Sequence, residues 1–430
     1  MQKLNVFLQK LKKLFLLSIL ILYEMKFTSF LITLILLLSS CSKEEKTVRF
    51  SSWQSSPSEE RIIRESLDSF EIAHPDVDYK FQPIPGNYTE KIQLMLGTGK
   101  APDLFWLKGD TSPAYMSFEV LQPLDSLAIN DSSFNIDDFF PVFKDAFKYK
   151  GKYYGFGKDF NAYVLFYNPD MLQEAGFNDP PSNWNELLDY AKKLTLDKNN
   201  DGTIDQYGFV VEPSIDMVLP FAYQNEAELI DEKGNIKIGE PAFIEAMEFY
   251  MNMYRQGIAT IPTDLGAGWN GDVFGRQQAA MVISGAWLIP YLKESFPDVP
   301  YKVTQLPMGK KRATLAFCNA YVIPKQTDQL TNSWKMLSYL SGKEGMKIWT
   351  SSGIALPTRK SVAIENGFYK DSVFNVFLKS AEYAKLYKVN LQERWYDESQ
   401  AMMQALFYKS KDPKEVLPKL AKKLERYKLK

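Results

Sequence analysis

Histidine and cysteine are almost missing from this chain, with one of the first and two of the second among 430 residues. A single histidine closes off chemistry that needs two imidazoles. Two cysteines exclude a multi-cysteine zinc site and allow at most one disulfide. Neither charge sign is in excess: 51 Lys+Arg stand against 52 Asp+Glu, a formal net charge of −1, so the bulk composition offers no basic surface for nucleic acid. No apolar run reaches the roughly 20 residues that a membrane-spanning helix needs. Fixed-period repeats, low-complexity tracts, a Gly-x-Ser-x-Gly elbow and a glycine-rich phosphate loop are also lacking. What remains is a globular composition, 45% hydrophobic and 24% charged, long enough for two domains. Its one abundance is aromatic, at 14%, including 8 Trp, 24 Tyr and 29 Phe.

The first forty residues read as targeting sequence. Two apolar runs, residues 14–22 and 30–38, are separated by Tyr23-Glu24-Met25-Lys26. The second has the makings of a signal peptide: a short positive start, an h-region of suitable length, then small residues. Those residues, Leu38-Ser39-Ser40-Cys41, resemble the lipobox of bacterial lipoproteins. The resemblance implies cleavage before Cys41, acylation of its thiol and a polar tether over residues 41–46. Met25 then reads as a second candidate start, which would leave residues 1–24 untranslated. Loss of residues 1–40 removes five basic side chains and one acidic one, so the exported body carries a formal charge of −5. Acylated Cys41 leaves Cys318 as a lone thiol, and no intrachain disulfide is expected.

The body opens with a short β-like run, residues 47–50, and a polar loop containing Trp53. Pro57, Glu59 and Glu60 then suit a helix start, and Ile63, Leu67 and Phe70 fall at i, i+4, i+7 until Pro75 ends the pattern. Val77, Tyr79 and Phe81 alternate as a strand does, residues 88–97 read as a helix, and residues 103–107 as a buried strand. This β-α-β-α-β order argues an α/β lobe with a mostly parallel sheet. Residues 163–167 are a further strand, and Ser182 caps a helix with the stripe Trp184, Leu187, Leu188, Ala191 and Leu194. Residues 278–284 form another strand. From Ser333 onward the pattern is mostly that of amphipathic helices.

Gly99-Lys100-Ala101-Pro102-Asp103-Leu104-Phe105, Tyr154-Gly155-Phe156-Gly157-Lys158-Asp159, Leu165-Phe166-Tyr167-Asn168-Pro169-Asp170, Pro181-Ser182-Asn183-Trp184-Asn185-Glu186-Leu187, Ser284-Gly285-Ala286-Trp287 and Gly353-Ile354-Ala355-Leu356-Pro357-Thr358-Arg359 occur in that order. Together they resemble the maltose-binding-type solute-binding lipoproteins of ABC sugar transporters. One departure is Gly157, where the family usually has proline. The resemblance implies an α/β, two-lobed type II periplasmic-binding-protein fold with hinge crossovers. It assigns residues 46–160 and 320–376 to an N-terminal lobe, and 161–319 and 377–430 to a C-terminal lobe, with crossings near 160–164 and 317–321. The implied partners are a small carbohydrate and the permease subunits of an ABC transporter, with the membrane reached through lipid on Cys41. A monomer without cofactor, enzymatic activity or nucleic-acid binding is expected, exported and anchored to the cell membrane.

A sugar offers hydroxyls at its edges and C–H groups on its faces, so its site needs flat aromatic platforms and planar hydrogen-bonding groups. Candidates are residues in loops at the carboxyl ends of strands. Trp53, Trp269 and Trp287 stand in such segments, and Trp395 reaches from the C-terminal section. Asp110 follows the strand holding Trp106; Asp159 and Asn161 flank the first crossing; Asn319 and Tyr321 lie at the second; Arg359 closes the Leu-Pro-Thr-Arg block. Trp106, Trp184, Trp334 and Trp349 read instead as packing, and His74, before Pro75, as a cap on helix carbonyls.

One further segment places oxygen donors Asp197, Asn199, Asp201, Thr203 and Asp205 around Gly202, as a calcium loop does, but Gly208 stands where the twelfth-position glutamate belongs. Its two readings are a structural Ca²⁺ site and an Asp/Asn/Gly turn from helix to strand. Two other functions stay open: a binding protein for a polyamine or phosphorylated compound, and a carbohydrate-active hydrolase using paired carboxylates.

Overall fold

Thirteen strands divide into two mixed sheets and one hairpin in the computed structural model, which describes residues 47–53, 57–231, 233–392 and 394–429. Cys41, the signal segment and the whole tether lie outside the described residues, and so do residues 54–56. Residues from Val48 onward form one unit.

The first sheet contains β1 (Val48–Ser51), β2 (Tyr79–Phe81), β3 (Leu104–Lys108), β6 (Gly155–Ala162), β12 (Thr314–Val322) and β13 (Ala384–Leu386). β1 pairs in parallel with β2 and β3, while β12 runs antiparallel to both β3 and β6. The second sheet has the order β11 (Lys302–Thr304), β7 (Val164–Tyr167), β10 (Ala279–Ser284), β8 (Tyr207–Val210), β9 (Ala259–Thr260). β4 (Lys148–Tyr149) and β5 (Lys152–Tyr153) make the hairpin. Every residue of β10 is buried, the expected state of a strand covered by helices on both faces.

Local sequence explains the helices that cover the sheets. The helix Pro57–Ala73 turns Ile63, Leu67 and Phe70, each at most 3% exposed, into the core of the first lobe. Burying such a side chain contributes about 1.5–3 kcal/mol. The helix Trp184–Lys193 is capped one residue later than the sequence suggested. Asn183 is the cap, its Oδ1 accepting from the Glu186 amide at 3.0 Å, while the Glu186 carboxylate accepts from the Ser182 amide at 2.7 Å. This reciprocal arrangement satisfies amides that the helix leaves unpaired.

Two long strands carry the chain between the lobes. β6 spans eight residues and β12 nine, and their pairing continues to Tyr163, whose amide donates to the Leu315 carbonyl at 3.0 Å. β7, in the second sheet, starts at the next residue. A third passage follows β13. Tyr387 donates its amide to Ala316, after which the helices Arg394–Tyr408 and Pro413–Leu424 pack on the second lobe. The expected division at 376–377 therefore falls inside the helix Phe374–Ala381, and β13 beyond it still belongs to the first sheet.

Gly157 lies within β6 rather than in a loop. A Cβ there would sit 2.8 Å from Cys318 Sγ and 3.0 Å from Thr358 Cγ2, so the strand passes its neighbours at a distance only glycine allows. Cys318 is buried, and desolvation pushes its thiol pKa far up, which leaves it unreactive.

Candidate functional site

Between the two sheets, at the carboxyl ends of β1, β3 and β10, lies a cleft floored by β6 and β12. It consists of cavities of about 190, 390 and 250 Å³ that share lining residues: Trp53, Trp287, Phe317 and Asn319 belong to the first two, and Lys108, Asp110 and Tyr387 to the last two. Tyr396 connects the third to a larger groove of about 850 Å³ that runs past Tyr115 and Phe118.

One wall is aromatic. Trp287, Phe317, Tyr387 and Trp395 follow one another edge to face, with centroids 5.9, 5.6 and 6.4 Å apart, and Tyr163 braces Phe317 at 4.9 Å. The turn before Trp287 requires its glycine, because a Cβ on Gly285 would stand 2.3 Å from the indole ring. From the other lobe, half-buried Trp53 leans on Trp106 at 4.6 Å and Tyr88 at 5.8 Å.

Polar groups cluster where the lobes meet. Asp159, 4% exposed, accepts from Trp349 Nε1 at 2.7 Å and from Asn319 Nδ2 at 3.2 Å, and it pairs with the Lys158 ammonium. That ammonium lies 3.8 Å from the Trp349 ring centre and 4.0 Å from that of Trp106, and desolvation lowers its pKa. Asn161 bridges the lobes: its Nδ2 donates to the Ile354 carbonyl at 3.3 Å and its Oδ1 accepts from the Ala286 amide at 2.9 Å. Farther along, Asp110 has its carboxyl pKa raised by desolvation, partly offset by Lys108. Across from it, Asp216 accepts from Tyr163 Oη at 2.6 Å and from Ser214 Oγ. Behind Asp216, desolvation lifts Glu212 to about 7; its Oε1 accepts from the Asn270 amide at 2.7 Å.

Of the residues singled out from sequence, the structure brings Trp53, Asp110, Asp159, Asn161, Trp287, Asn319 and Trp395 to the cleft. Three others face elsewhere. Arg359, 2% exposed, is not a cleft residue. Its guanidinium donates to the carbonyls of Ser341 at 2.7 Å, Phe134 at 2.7 Å and Asn135 at 3.0 Å, beside Asp138. Tyr321 packs between Phe50 and Trp106 in the first lobe's core. Trp269 sits edge to face with Tyr291 at 4.8 Å, and it is not among the residues lining the cavities above. Sequence reasoning missed Tyr163, Phe317, Tyr387 and Asp216, and it assigned Trp349 to packing alone. Tyr163 and Phe317 lie in the crossing segments it had located, whereas nothing local marks Tyr387 or Asp216.

In the 197–205 loop the acidic oxygens face the loop's own backbone. Asp197 Oδ2 accepts from the Gly202 amide at 2.8 Å, Asp201 Oδ1 from Thr203 at 2.7 Å and Asp205 Oδ2 from Lys198 at 2.7 Å. Asn199 Oδ1 accepts from the Asp201 amide at 2.9 Å. Among the described residues, no three His, Cys, Asp or Glu side chains gather as a metal site.

Two α/β lobes on shared strands, with an aromatic and hydrogen-bonding cleft between them, define a two-lobed solute receptor. The chain belongs to the family of bacterial extracellular solute-binding proteins, whose profile matches residues 65–374. A putative binding protein of Brucella abortus is 24% identical over 376 residues, covering 84% of this chain and 89% of its own. The arabinooligosaccharide-binding protein of Bacillus subtilis is 22% identical over 366 residues, covering 76% and 78%. The fold matches that of an ABC substrate-binding protein from Listeria monocytogenes, solved with cycloalternan, at a TM-score of 0.80 and 24% identity; the match covers 88% of this chain and 98% of that one. Membership in this family supports export, and no described helix is long and apolar enough to cross a membrane.

Proposed function

We infer that this protein captures an oligosaccharide between its lobes and delivers it to the permease of an ABC transporter, acting as a monomer held to the membrane by lipid on Cys41. The observation carrying this reading is the aromatic row Trp287–Phe317–Tyr387–Trp395 along a cleft whose cavities follow in series. Aromatic faces take up the C–H surfaces of pyranose rings, and the series favours a ligand of several units over a single small solute. The oligosaccharide-binding relative from Bacillus subtilis and the cycloalternan complex point the same way.

Binding without catalysis is part of the reading. A ligand gripped by residues of both lobes stabilises the closed arrangement by its differential affinity, and Asn161, bonded to both sides, is the natural pivot. Thermal melting of the full chain against mono-, di- and trisaccharides, a polyamine and a phosphate ester tests it. Oligosaccharides should raise the midpoint, since a ligand at a hundred times its Kd adds about 2.7 kcal/mol to the folded state. A shift with the polyamine or phosphate ester and none with any saccharide would overturn the reading.

A further inference from the structure

The cavity of about 250 Å³ at the middle of the cleft differs from its neighbours in charge. Asp110 of one lobe and Asp216 of the other line it, with Lys108 as the one cation on its wall. Among the described residues, neither carboxylate makes an ion pair. Asp110 accepts from the Thr111 amide at 2.9 Å, and Asp216 accepts from two hydroxyls. Lys158, the other lysine of the cleft, is committed to Asp159 and to the indoles around it. The rest of the wall is aromatic: Tyr387, Trp395 and Tyr396.

Tyr387 supplies an independent sign that this compartment is built for a ligand. Its side chain is 7% exposed, and its hydroxyl is buried with no hydrogen-bond partner. An unpaired buried hydroxyl is destabilising, so its retention beside a cavity fits a group that arrives with the ligand. Burial first, and then the charges of Asp216 and Asp110, push the pKa of this hydroxyl far up. Two acids with no third ligand do not make a metal site. Carboxylates combined with aromatic faces instead suit an organic ammonium, which donates charge-assisted hydrogen bonds to the former and is held by cation–π attraction to the latter.

We propose that this compartment receives a protonated amino group carried on the saccharide, so that the ligand is an amino sugar residue within an oligosaccharide, held between Asp110 and Asp216 with Tyr387 as an additional hydrogen-bonding partner. The assignment rests on the saccharide reading of the cleft. It also gives the two acids a closing role: without a cation the lobes bring like charges toward each other, and with one they share it.

The test is a tryptophan-fluorescence titration of the full chain with chitosan trisaccharide, its fully N-acetylated counterpart, maltotriose and spermidine, at pH 6.5. The free-amine trisaccharide should bind at least tenfold more tightly than the N-acetylated one. Asp110→Asn and Asp216→Asn should each erase that preference, and Tyr387→Phe should weaken amine binding several-fold. Asp216→Asn leaves one acceptor oxygen where Tyr163 and Ser214 now each have their own, so Asp110→Asn is the decisive variant if the former does not fold. N-acetylated or neutral trisaccharide binding as well as the free amine would overturn the ammonium site and leave the saccharide reading standing. Spermidine binding with no saccharide binding would overturn the amino-sugar ligand and the saccharide reading together.

Discussion

Replacing Glu212 with glutamine should stabilise the protein at pH 8 and leave its stability unchanged at pH 4. Glu212 lies between β8 and the helix Ile215–Gln224, and burial raises its pKa from 4.5 to about 7. The sign follows from proton binding. Between these two values the folded chain holds the proton and the unfolded chain does not, so stability falls as pH rises through the window. Above it, the folded state carries the full cost of a desolvated carboxylate. A rise of this size, at ~1.4 kcal/mol per tenfold change in proton affinity, corresponds to roughly 3 kcal/mol, and partial solvent access reduces it to about 2. Glutamine keeps an oxygen for the Asn270 amide, now 2.7 Å from Oε1, and removes the charge. The assay is equilibrium urea unfolding of wild type and Glu212→Gln at half-unit steps from pH 4 to 8. The variant's advantage should grow across that range and level off above about 7.5. A difference that is constant with pH, or that favours wild type at pH 8, would refute the desolvation argument.

Trp287→Ala should abolish the saccharide-induced rise in melting temperature while the unliganded protein stays folded, as circular dichroism would report; an unchanged shift removes Trp287 from the site. Arg359→Ala should lower stability by about 3–5 kcal/mol in urea unfolding, because it strands three buried carbonyls and Asp138, yet it should leave saccharide affinity within twofold of wild type. A tenfold loss of affinity would return Arg359 to the binding machinery. For the anchor, cells fed labelled fatty acid should label the wild-type chain and not Cys41→Ser; label on the variant rules out acylation at that cysteine.

Much of the fold is legible in the sequence because it rests on short-range rules. Alternation marks β2, helical spacing marks Pro57–Ala73, and the Tyr207–Val210 strand follows from its apolar run beside an Asp/Asn/Gly turn. The expected crossings near 160–164 and 317–321 come instead from the family resemblance, not from a local rule. What escapes is the surroundings of a side chain. Asn319 and Tyr321, two residues apart, would share a face of a regular strand. They do share one here, because β12 keeps regular register with β3 and the irregularity falls at Lys158 of β6; what differs is position along that face, where Asn319 meets Asp159 while Tyr321 is covered by Phe50 and Trp106. Arg359 follows a loop, but its guanidinium, with five donors, is captured by the carbonyls of Phe134, Asn135 and Ser341, which no local pattern announces. Tyr387 joins the aromatic row only because β13 returns to pair with β12 beyond residue 376, a long-range event without a local signature.

The account turns on one saccharide of several units occupying the cleft. Titration calorimetry of the full chain with a mono- and a trisaccharide of the same sugar, at three temperatures, measures this directly. Stacking on the aromatic row predicts one-to-one binding, at least tenfold tighter for the trisaccharide, with a negative heat-capacity change. Equal affinity for both sugars, or no heat with either, would contradict it.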